Sequence, residues 1–171
     1  MSPTPAAKYA VLGLAALALA ACGKSSQAPT TNQAAAAPPA PPPGALTDAQ
    51  KKALLAELPP AYQSADLANG EAKFALCRSC HTTDPGGSDM IGPNLSGIFG
   101  RKAGTKAGFS YSDGLAKAGW TWDADQLNKW IENPKALVPD TKMTFVGLAD
   151  PNDRRDVIAF LKVQTSPAPK P

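Results

Sequence analysis

The chain has 171 residues, a formal net charge of +3 and 18 prolines, most of them before residue 61 or after residue 166. This length predicts one ordinary domain. The charge is weak and the sequence has no run of Lys and Arg, so it gives no support for nucleic acid binding. Histidine and cysteine are more informative, since the chain has one histidine, His81, and three cysteines, Cys22, Cys77 and Cys80. An odd number of cysteines argues against a framework made only of disulfides.

Residues 1–21 are typical of an export signal. Lys8 gives a positive flank, and the apolar run from Ala10 to Ala21 is shorter than the roughly 20 residues that span a bilayer. The run ends in Leu-Ala-Ala-Cys22, which resembles the lipobox of bacterial lipoproteins, where the signal is cut before a cysteine that is then lipidated. We therefore expect lipidation of Cys22 to anchor the chain to a membrane. The alternative is an ordinary secretory peptide that leaves an incidental thiol.

For residues 22–65 the sequence predicts a lipidated cysteine, then a tether and one short helix. Residues 23–44 are mostly Ala, Pro, Gln, Ser and Thr, so they cannot bury enough apolar surface to offset their ordering entropy. The proline clusters favour an extended polyproline geometry. Residues 47–58 favour a helix with Thr47 as its N-cap, which Pro59-Pro60 would end. Such a helix could pack against the folded domain or serve as a spacer.

The folded domain is predicted at residues 66–163, followed by a disordered tail at 164–171. Asp150 is a good N-cap, and Pro151 suits the first position of the last helix, which has the clearest pattern. Three helices are predicted in this domain, at 66–76, 123–131 and 150–163.

Residues 82–114 are rich in glycine and resemble loops, and no stretch alternates well enough for a strand. The predicted fold class is therefore all-α, with about three to five helices and long loops. A loop region as long as residues 82–114 is uncommon in a compact domain, so it counts against the all-α assignment unless something organises the loops. A large apolar ring buried at the centre of the domain would do so.

The motif Cys77-Arg78-Ser79-Cys80-His81 matches the attachment pattern of c-type haem. Two intervening residues let both thiols meet the two vinyl groups on one porphyrin edge, and the adjacent histidine then falls beneath the iron. A thioredoxin-like redox pair would need a preceding strand and an α/β pattern. A zinc site would need four ligands, and the chain has no second Cys/His pair. The motif therefore predicts one covalent haem c with His81 as an axial ligand.

The opposite face of the iron must be empty or filled by a residue other than histidine, and methionine is the usual partner. Met1 would be lost with the signal, which leaves Met90 and Met143. Met90 follows His81 by nine residues, which span about 30 Å when fully extended, but it would have to wrap tightly round the haem edge. Met143 lies in a loop between two predicted helices, from which a ligand can reach the far side.

The chain resembles class I cytochromes c, the group of mitochondrial cytochrome c and bacterial cytochrome c2, from about Asn69 to Lys162. The resemblance implies their fold, wrapped round one haem, with the first and last helices crossing at Gly70, Phe74 and Phe160. Besides the attachment motif it rests on six blocks in the family's order: Gly92-Pro93-Asn94-Leu95, Gly97-Ile98-Phe99-Gly100-Arg101, Gly108-Phe109-Ser110-Tyr111, Thr121-Trp122, Glu132-Asn133-Pro134-Lys135 and 139–147.

The resemblance also implies roles for individual residues. Met143 matches the methionine ligand, with the hydroxyl of Thr141 near it, and Pro93 matches the residue whose carbonyl orients the ligand histidine. Tyr111 and Trp122 match hydrogen-bond donors to the haem propionates. Arg101 matches a buried cation near a propionate. Trp130 replaces a tyrosine of many relatives, and its indole can donate but not accept. Phe145 completes the implied cofactor-binding set.

By the same resemblance the protein is not an enzyme but a periplasmic one-electron carrier, and we expect a monomer. It would shuttle electrons from a cytochrome bc complex to a terminal oxidase. One alternative from another class is a haem peroxidase or gas sensor, which would need a weak or absent sixth ligand. A dedicated acceptor for one periplasmic dehydrogenase would have the same fold, so the sequence does not separate it from a respiratory shuttle.

Four lysines lie in segments that frame the exposed haem edge in relatives. Residues 66–163 contain equal numbers of acidic and basic residues, so any electrostatic steering must come from their uneven distribution. On this basis we expect the reaction with the partner to slow as salt rises. The four are Lys102, Lys106, Lys135 and Lys142.

Overall fold

The computed structural model describes residues 45–169. The predicted signal at 1–21, the lipidation of Cys22 and the tether at 23–44 lie outside the described residues and stay predictions. Within the described part the fold is all-α, as predicted, and strand-like pairing is confined to one isolated bridge between Lys102 and Thr121. No helix between residues 45 and 169 is long and apolar enough to cross a membrane.

Seven helices follow one another along residues 45–169, and their lengths fall into two groups. Three are single turns of four residues that the sequence did not predict: α2 (Pro60–Gln63), α4 (Asp113–Ala116) and α6 (Pro134–Leu137). The others have nine or more residues: α1 (Asp48–Ala56), α3 (Leu67–Arg78), α5 (Ala124–Glu132) and α7 (Pro151–Thr165).

Side-chain caps explain where the longer helices begin. The hydroxyl of Thr47 accepts from the N–H of Gln50, whose side chain accepts from the N–H of Thr47, which forms a capping box. Asp150 accepts from the N–H of Asn152 at 2.8 Å, in the first turn of α7. Pro60, which the sequence suggested only as a stop for α1, opens α2 instead, where its missing N–H costs no hydrogen bond.

The core is centred on the crossing of α3 and α7, which the resemblance to class I cytochromes c implied. A Cβ at Gly70 would overlap the carbonyl oxygen of Asp156 and lie 2.8 Å from the Cβ of Phe160, so only glycine allows this approach. The rings of Phe74 and Phe160 pack with their centroids 5.4 Å apart. Phe74 is among the most deeply buried side chains of the described residues.

The folded part begins earlier than the predicted boundary at residue 66. Both α1 and α2 contact α7, and the buried residues of this segment are Leu54 in α1, Leu58 between the two helices and Tyr62 in α2. The ammonium of Lys162 on α7 donates to a carboxylate oxygen of Glu57 at 2.6 Å. The segment is therefore packed against the domain, because its apolar side chains cover α7.

The folded part also ends later than predicted, because α7 runs two residues beyond Val163. Thr165 is 3% exposed, and its carbonyl oxygen accepts from the N–H of Gly97 at 2.7 Å. The hydroxyl of Thr165 donates to the carbonyl of Leu161 one turn earlier. These contacts place residues 164 and 165 in the domain and not in the predicted tail at 164–171.

Candidate haem-binding site

A cavity of about 260 Å³ opens beside the end of α3 and is closed mainly by loops. Five of its lining residues lie in helices, and the others lie in the connecting segments. Every site residue that the sequence predicted within the described range lines this cavity: Cys77, Cys80, His81, Pro93, Arg101, Tyr111, Trp122, Trp130, Thr141, Met143 and Phe145.

His81 closely follows α3 and is held in one orientation. Its Nδ1 lies 2.7 Å from the carbonyl oxygen of Pro93. A carbonyl can only accept, so Nδ1 carries the proton, and Nε2 is left with a lone pair for a metal. Burial lowers the pKa of His81, although the hydrogen bond to Pro93 acts in the opposite direction. The imidazole is therefore kept neutral, which is the form that binds iron.

The two cysteines are placed for attachment to a ligand in the cavity. Cys77 lies in the last turn of α3, and its carbonyl oxygen accepts from the N–H groups of Cys80 and His81 at 3.0 and 2.9 Å. The thiols are not joined in a disulfide. This tight turn keeps both cysteines and the histidine beside one cavity, as attachment through two thioethers requires.

The alternatives to haem attachment find no support in the structure. Burial, with the nearby Cys80, raises the pKa of the Cys77 thiol to about 11, whereas thiol–disulfide exchange needs a readily formed thiolate. The described residues contain no group of three or more His, Cys, Asp or Glu side chains that could hold a metal ion. A zinc site at this motif would need such a group.

Of the two methionines that the sequence left open, Met143 lines the cavity and Met90 does not. Met90 is 49% exposed. The N–H of Met143 donates to the hydroxyl of Thr141 at 3.2 Å, and the N–H of Thr141 donates to the carbonyl of Val138 at 3.0 Å. These bonds hold the loop after α6 in a shape that brings Met143 to the same cavity as His81.

A second group of lining residues supplies positive charge and N–H or O–H donors. The guanidinium of Arg101 donates to the carbonyl oxygens of Ser96 and Asn94 at 3.2 and 3.3 Å. Burial raises the pKa of Tyr111, so its phenol stays protonated and can donate. The indole of Trp122 is almost fully buried. A fixed cation with neutral donors beside it suits the carboxylates of a haem.

Tryptophans form one wall of the cavity. Trp122 meets Trp130 edge to face with centroids 5.6 Å apart, and Trp120 meets Trp122 at 5.9 Å. The sequence reasoning singled out Trp122 and Trp130 but not Trp120, which does not line the cavity itself and packs behind Trp122. Trp120 therefore supports the wall without facing the ligand.

The sequence reasoning also missed several apolar lining residues. Leu127 could have been found, because it precedes Trp130 and Ile131 by three and four positions on α5, which is the spacing of one buried helix face. Most of the others lie in loops or single turns, where no periodicity marks a buried position; the missed set also includes Leu76, Ile91, Leu95, Ile98 and Leu115.

The donor set and the lining fit a covalent haem. Two thiols and one oriented imidazole meet at a cavity with an apolar lining and a fixed cation. A Cβ at Gly92 would overlap the ring of His81, so this glycine leaves the space in which the ligand histidine lies.

Comparison with known proteins also indicates a haem protein. The Cytochrome c family model matches residues 67–165. Cytochrome c2 of Rhodomicrobium vannielii is 46% identical over 120 residues, which cover 70% of this chain and 96% of that protein. Cytochrome c of Arabidopsis thaliana is 48% identical over 110 residues, which cover 60% of this chain and 98% of that protein.

Among solved structures, cytochrome cH from Methylobacterium extorquens is 44% identical, with a TM-score of 0.54, and the match covers 57% of this chain and 98% of that one. The matched family region contains the attachment motif and the cavity residues described above. The chain therefore belongs to the cytochrome c family, as a class I cytochrome c that carries a covalently attached c-type haem and serves as an electron carrier.

Proposed function

We propose that this protein is a periplasmic one-electron carrier that takes electrons from a cytochrome bc complex and passes them to a terminal oxidase, with His81 and Met143 as the axial ligands of its haem iron. The observation that carries the proposal is that His81 and Met143 line one cavity, whereas Met90 lies outside it and is half exposed. Ligation by histidine and methionine raises the reduction potential and leaves no position open for a substrate.

The chain itself would set the environment of the redox centre. The bound haem supplies a reversible one-electron change at its iron. Pro93 fixes the tautomer and orientation of His81, and Thr141 fixes the backbone that carries Met143. Arg101, which lines the cavity, would compensate the negative charge of a haem propionate. The apolar lining excludes water, so little solvent has to reorganise when the electron moves.

The location in the proposal comes from the sequence. The export signal at 1–21 and Cys22 at its end support a lipidated, membrane-anchored form in the periplasm. Residues 23–44 would then link the anchor to the haem domain. An electron carrier held in this way stays near partners in the same membrane.

Two matched variants of the holoprotein test the ligation. We expect Met143→Ala to lose the methionine–iron charge-transfer band of the ferric protein and to bind carbon monoxide when reduced. Met90→Ala should keep the wild-type spectrum and exclude carbon monoxide. A wild-type protein that lacks the band, or that binds carbon monoxide readily, would contradict the carrier and support a peroxidase or gas sensor.

Kinetics with membranes test the partners. We expect membranes of the source organism to oxidise the ferrous holoprotein, and membranes without the terminal oxidase to fail. Membranes without the cytochrome bc complex should fail to reduce the ferric protein with a quinol as the electron source. Normal reduction by such membranes would point to another donor, such as a periplasmic dehydrogenase.

A further inference from the structure

The segment that carries Met143 is fixed to helices at both of its ends. We call residues 138–148 the ligand loop. At its start, the N–H of Val138 donates to a carbonyl of α6 at 2.9 Å. At its end, the N–H of Leu148 donates to a carbonyl of α5 at 2.9 Å, and the carbonyl of Leu148 accepts from the guanidinium of Arg154 at 2.8 Å. The ends are therefore secured, and only the middle of the loop could move away from the cavity.

Two side chains connect the middle of the ligand loop to another part of the molecule. Among the hydrogen bonds of the described residues, those that leave residues 139–147 for a partner outside the loop come from Asp140 and Lys142. The carboxylate of Asp140 accepts from the N–H of Gly114 at 2.9 Å. The ammonium of Lys142 donates to the carbonyl and the hydroxyl of Ser110, each at 3.0 Å. The segment that contains both partners also lines the cavity.

The contact between Asp140 and Gly114 is complementary on both sides. The N–H of Gly114 lies in the first turn of α4, where N–H groups have no acceptor within the helix. The hydroxyl of Ser112 accepts from the N–H of Leu115, so the carboxylate of Asp140 satisfies a donor that the N-cap leaves free. A Cβ at Gly114 would overlap Oδ1 of Asp140 and lie 2.9 Å from Cγ1 of Val138. The glycine therefore leaves the space in which the carboxylate lies.

We propose that Asp140 is a positioning residue for Met143, because its carboxylate holds the middle of the ligand loop to α4 and so limits the loss of Met143 from the haem iron. The inference rests on the proposed ligation by His81 and Met143, and it names a residue that secures it. Asp140 does not line the cavity, so it acts through the backbone of the loop. Only three positions separate it from Met143, so release of the carboxylate frees the part of the loop that carries the ligand.

Of the two connections, the one through Asp140 restricts the loop more. Asp140 has a short side chain that bonds to a backbone N–H of a helix, so the distance between the two backbones is fixed closely. Lys142 reaches Ser110 through a flexible four-carbon side chain, which can follow a moving loop without breaking its bonds. A carboxylate that accepts from an N–H also forms a stronger bond than a neutral acceptor does.

The test measures binding of imidazole to the ferric full-length holoprotein, followed by loss of the methionine–iron charge-transfer band. We expect Asp140→Ala to raise the affinity about fivefold, because the hydrogen bond of an exposed carboxylate is lost. Gly114→Ala should have the same effect from the other side, because its methyl group takes the space of the carboxylate. The double variant should stay within about twofold of either single variant, because both substitutions remove one contact.

Asp113→Ala is the matched control, because it removes the same charge one residue away from Gly114. The carboxylate of Asp113 pairs with Lys117 at 3.1 Å within α4 and makes no hydrogen bond to the ligand loop. Its imidazole affinity should stay within about twofold of wild type. A second measurement reports the contact itself: protection of the Gly114 amide against hydrogen exchange in the ferrous holoprotein should fall about fivefold in Asp140→Ala and stay unchanged in Asp113→Ala.

Each other outcome overturns the inference. Unchanged imidazole affinity in Asp140→Ala and Gly114→Ala, with the charge-transfer band present in the wild type, would refute the inference alone. An equal rise in Asp113→Ala would mean that the lost charge acts and not the contact. A rise of about 25-fold in the double variant would mean that the two substitutions act separately. A wild type that lacks the band would refute the proposed ligation, and this inference with it.

Discussion

Gly92→Ala tests whether the backbone of the chain holds the ligand histidine in place. A Cβ at Gly92 would overlap the Cε1 atom of His81 and lie 2.7 Å from Nδ1 and 2.8 Å from Nε2. The backbone at Gly92 is tied on both sides, since its N–H donates to Cys80 and its carbonyl accepts from Met90, both at 2.9 Å. The glycine therefore cannot easily retreat, and the ring has to move.

The size of the effect follows from these distances. The ring must shift by about 1 Å or more to regain ordinary contact with the new methyl group. A shift of that size strains the 2.7 Å hydrogen bond from Nδ1 of His81 to Pro93, whose loss costs about 1 kcal/mol. Overpacking adds about 1–3 kcal/mol. We expect Gly92→Ala to lower the free energy of unfolding of the holoprotein by about 2–4 kcal/mol.

The measurement is guanidinium unfolding followed by tryptophan fluorescence, together with the visible spectrum of the haem. Gly86→Ala is the matched control, because Gly86 has a φ of 75° but a Cβ added there would meet no atom within 4 Å. It should cost about 1–2 kcal/mol from backbone strain and leave the spectrum unchanged. If both variants unfold alike and both keep the wild-type spectrum, the contact between Gly92 and His81 does not position the ligand.

Three further substitutions test other contacts. Glu57→Gln should lower the free energy of unfolding by about 1 kcal/mol or less, since Lys162 loses its ion pair but Glu57 is half exposed; a loss near ~4 kcal/mol would contradict this. Burial raises the pKa of Tyr62 to about 12, whereas the phenol of the unfolded chain ionises near ~10. The free energy of unfolding of the wild type should therefore fall between about pH 10 and 12, and that of Tyr62→Phe should fall less. Denaturant melts across this pH range measure both. Thr141→Val removes the acceptor for the N–H of Met143 and should raise the affinity of ferric protein for imidazole about fivefold; an unchanged affinity would mean that this bond does not secure the loop.

The parts of the fold that the sequence revealed are those with local signals. Asp150 and Pro151 mark the start of α7 in the sequence because a cap and a first-turn proline act within a few residues. The single turns α4 and α6 have four residues each, which is too short for a helical period to appear. Local caps are present at both, since Ser112 accepts from the N–H of Leu115 and Asn133 precedes Pro134 at the first position of α6, but a cap that no periodic segment follows does not predict a helix.

The same distinction applies to the site. The attachment motif is contiguous, so its chemistry is readable from residue types and spacing alone. Leu95, Ile98 and Leu115 are buried in the cavity wall, but they lie in loops or a single turn where apolar residues have no expected period. Their burial comes from packing in a core cluster whose members are far apart in the sequence, so no local pattern could have indicated it.

The N-terminal boundary shows the limit of reasoning from composition. Pro59-Pro60 reads as the end of a helix, and the composition left two roles open for that helix, packing against the folded domain or serving as a spacer. In the structure the two prolines form a corner between α1 and α2 that turns Leu58 and Tyr62 onto the core. Whether a short amphipathic helix packs on the domain depends on a complementary surface, and here α7 provides it.

The position of this N-terminal pair bears on how an anchored carrier would be linked to its anchor. Helices α1 and α2 pack on α7, and none of these three helices contributes a residue to the lining of the cavity. The chain that precedes residue 45, where we propose the tether, therefore joins the domain through helices that do not line the cavity. A chain anchored through Cys22, as we propose, would therefore be linked to the domain at α1, and the segments that line the cavity would take no part in that link.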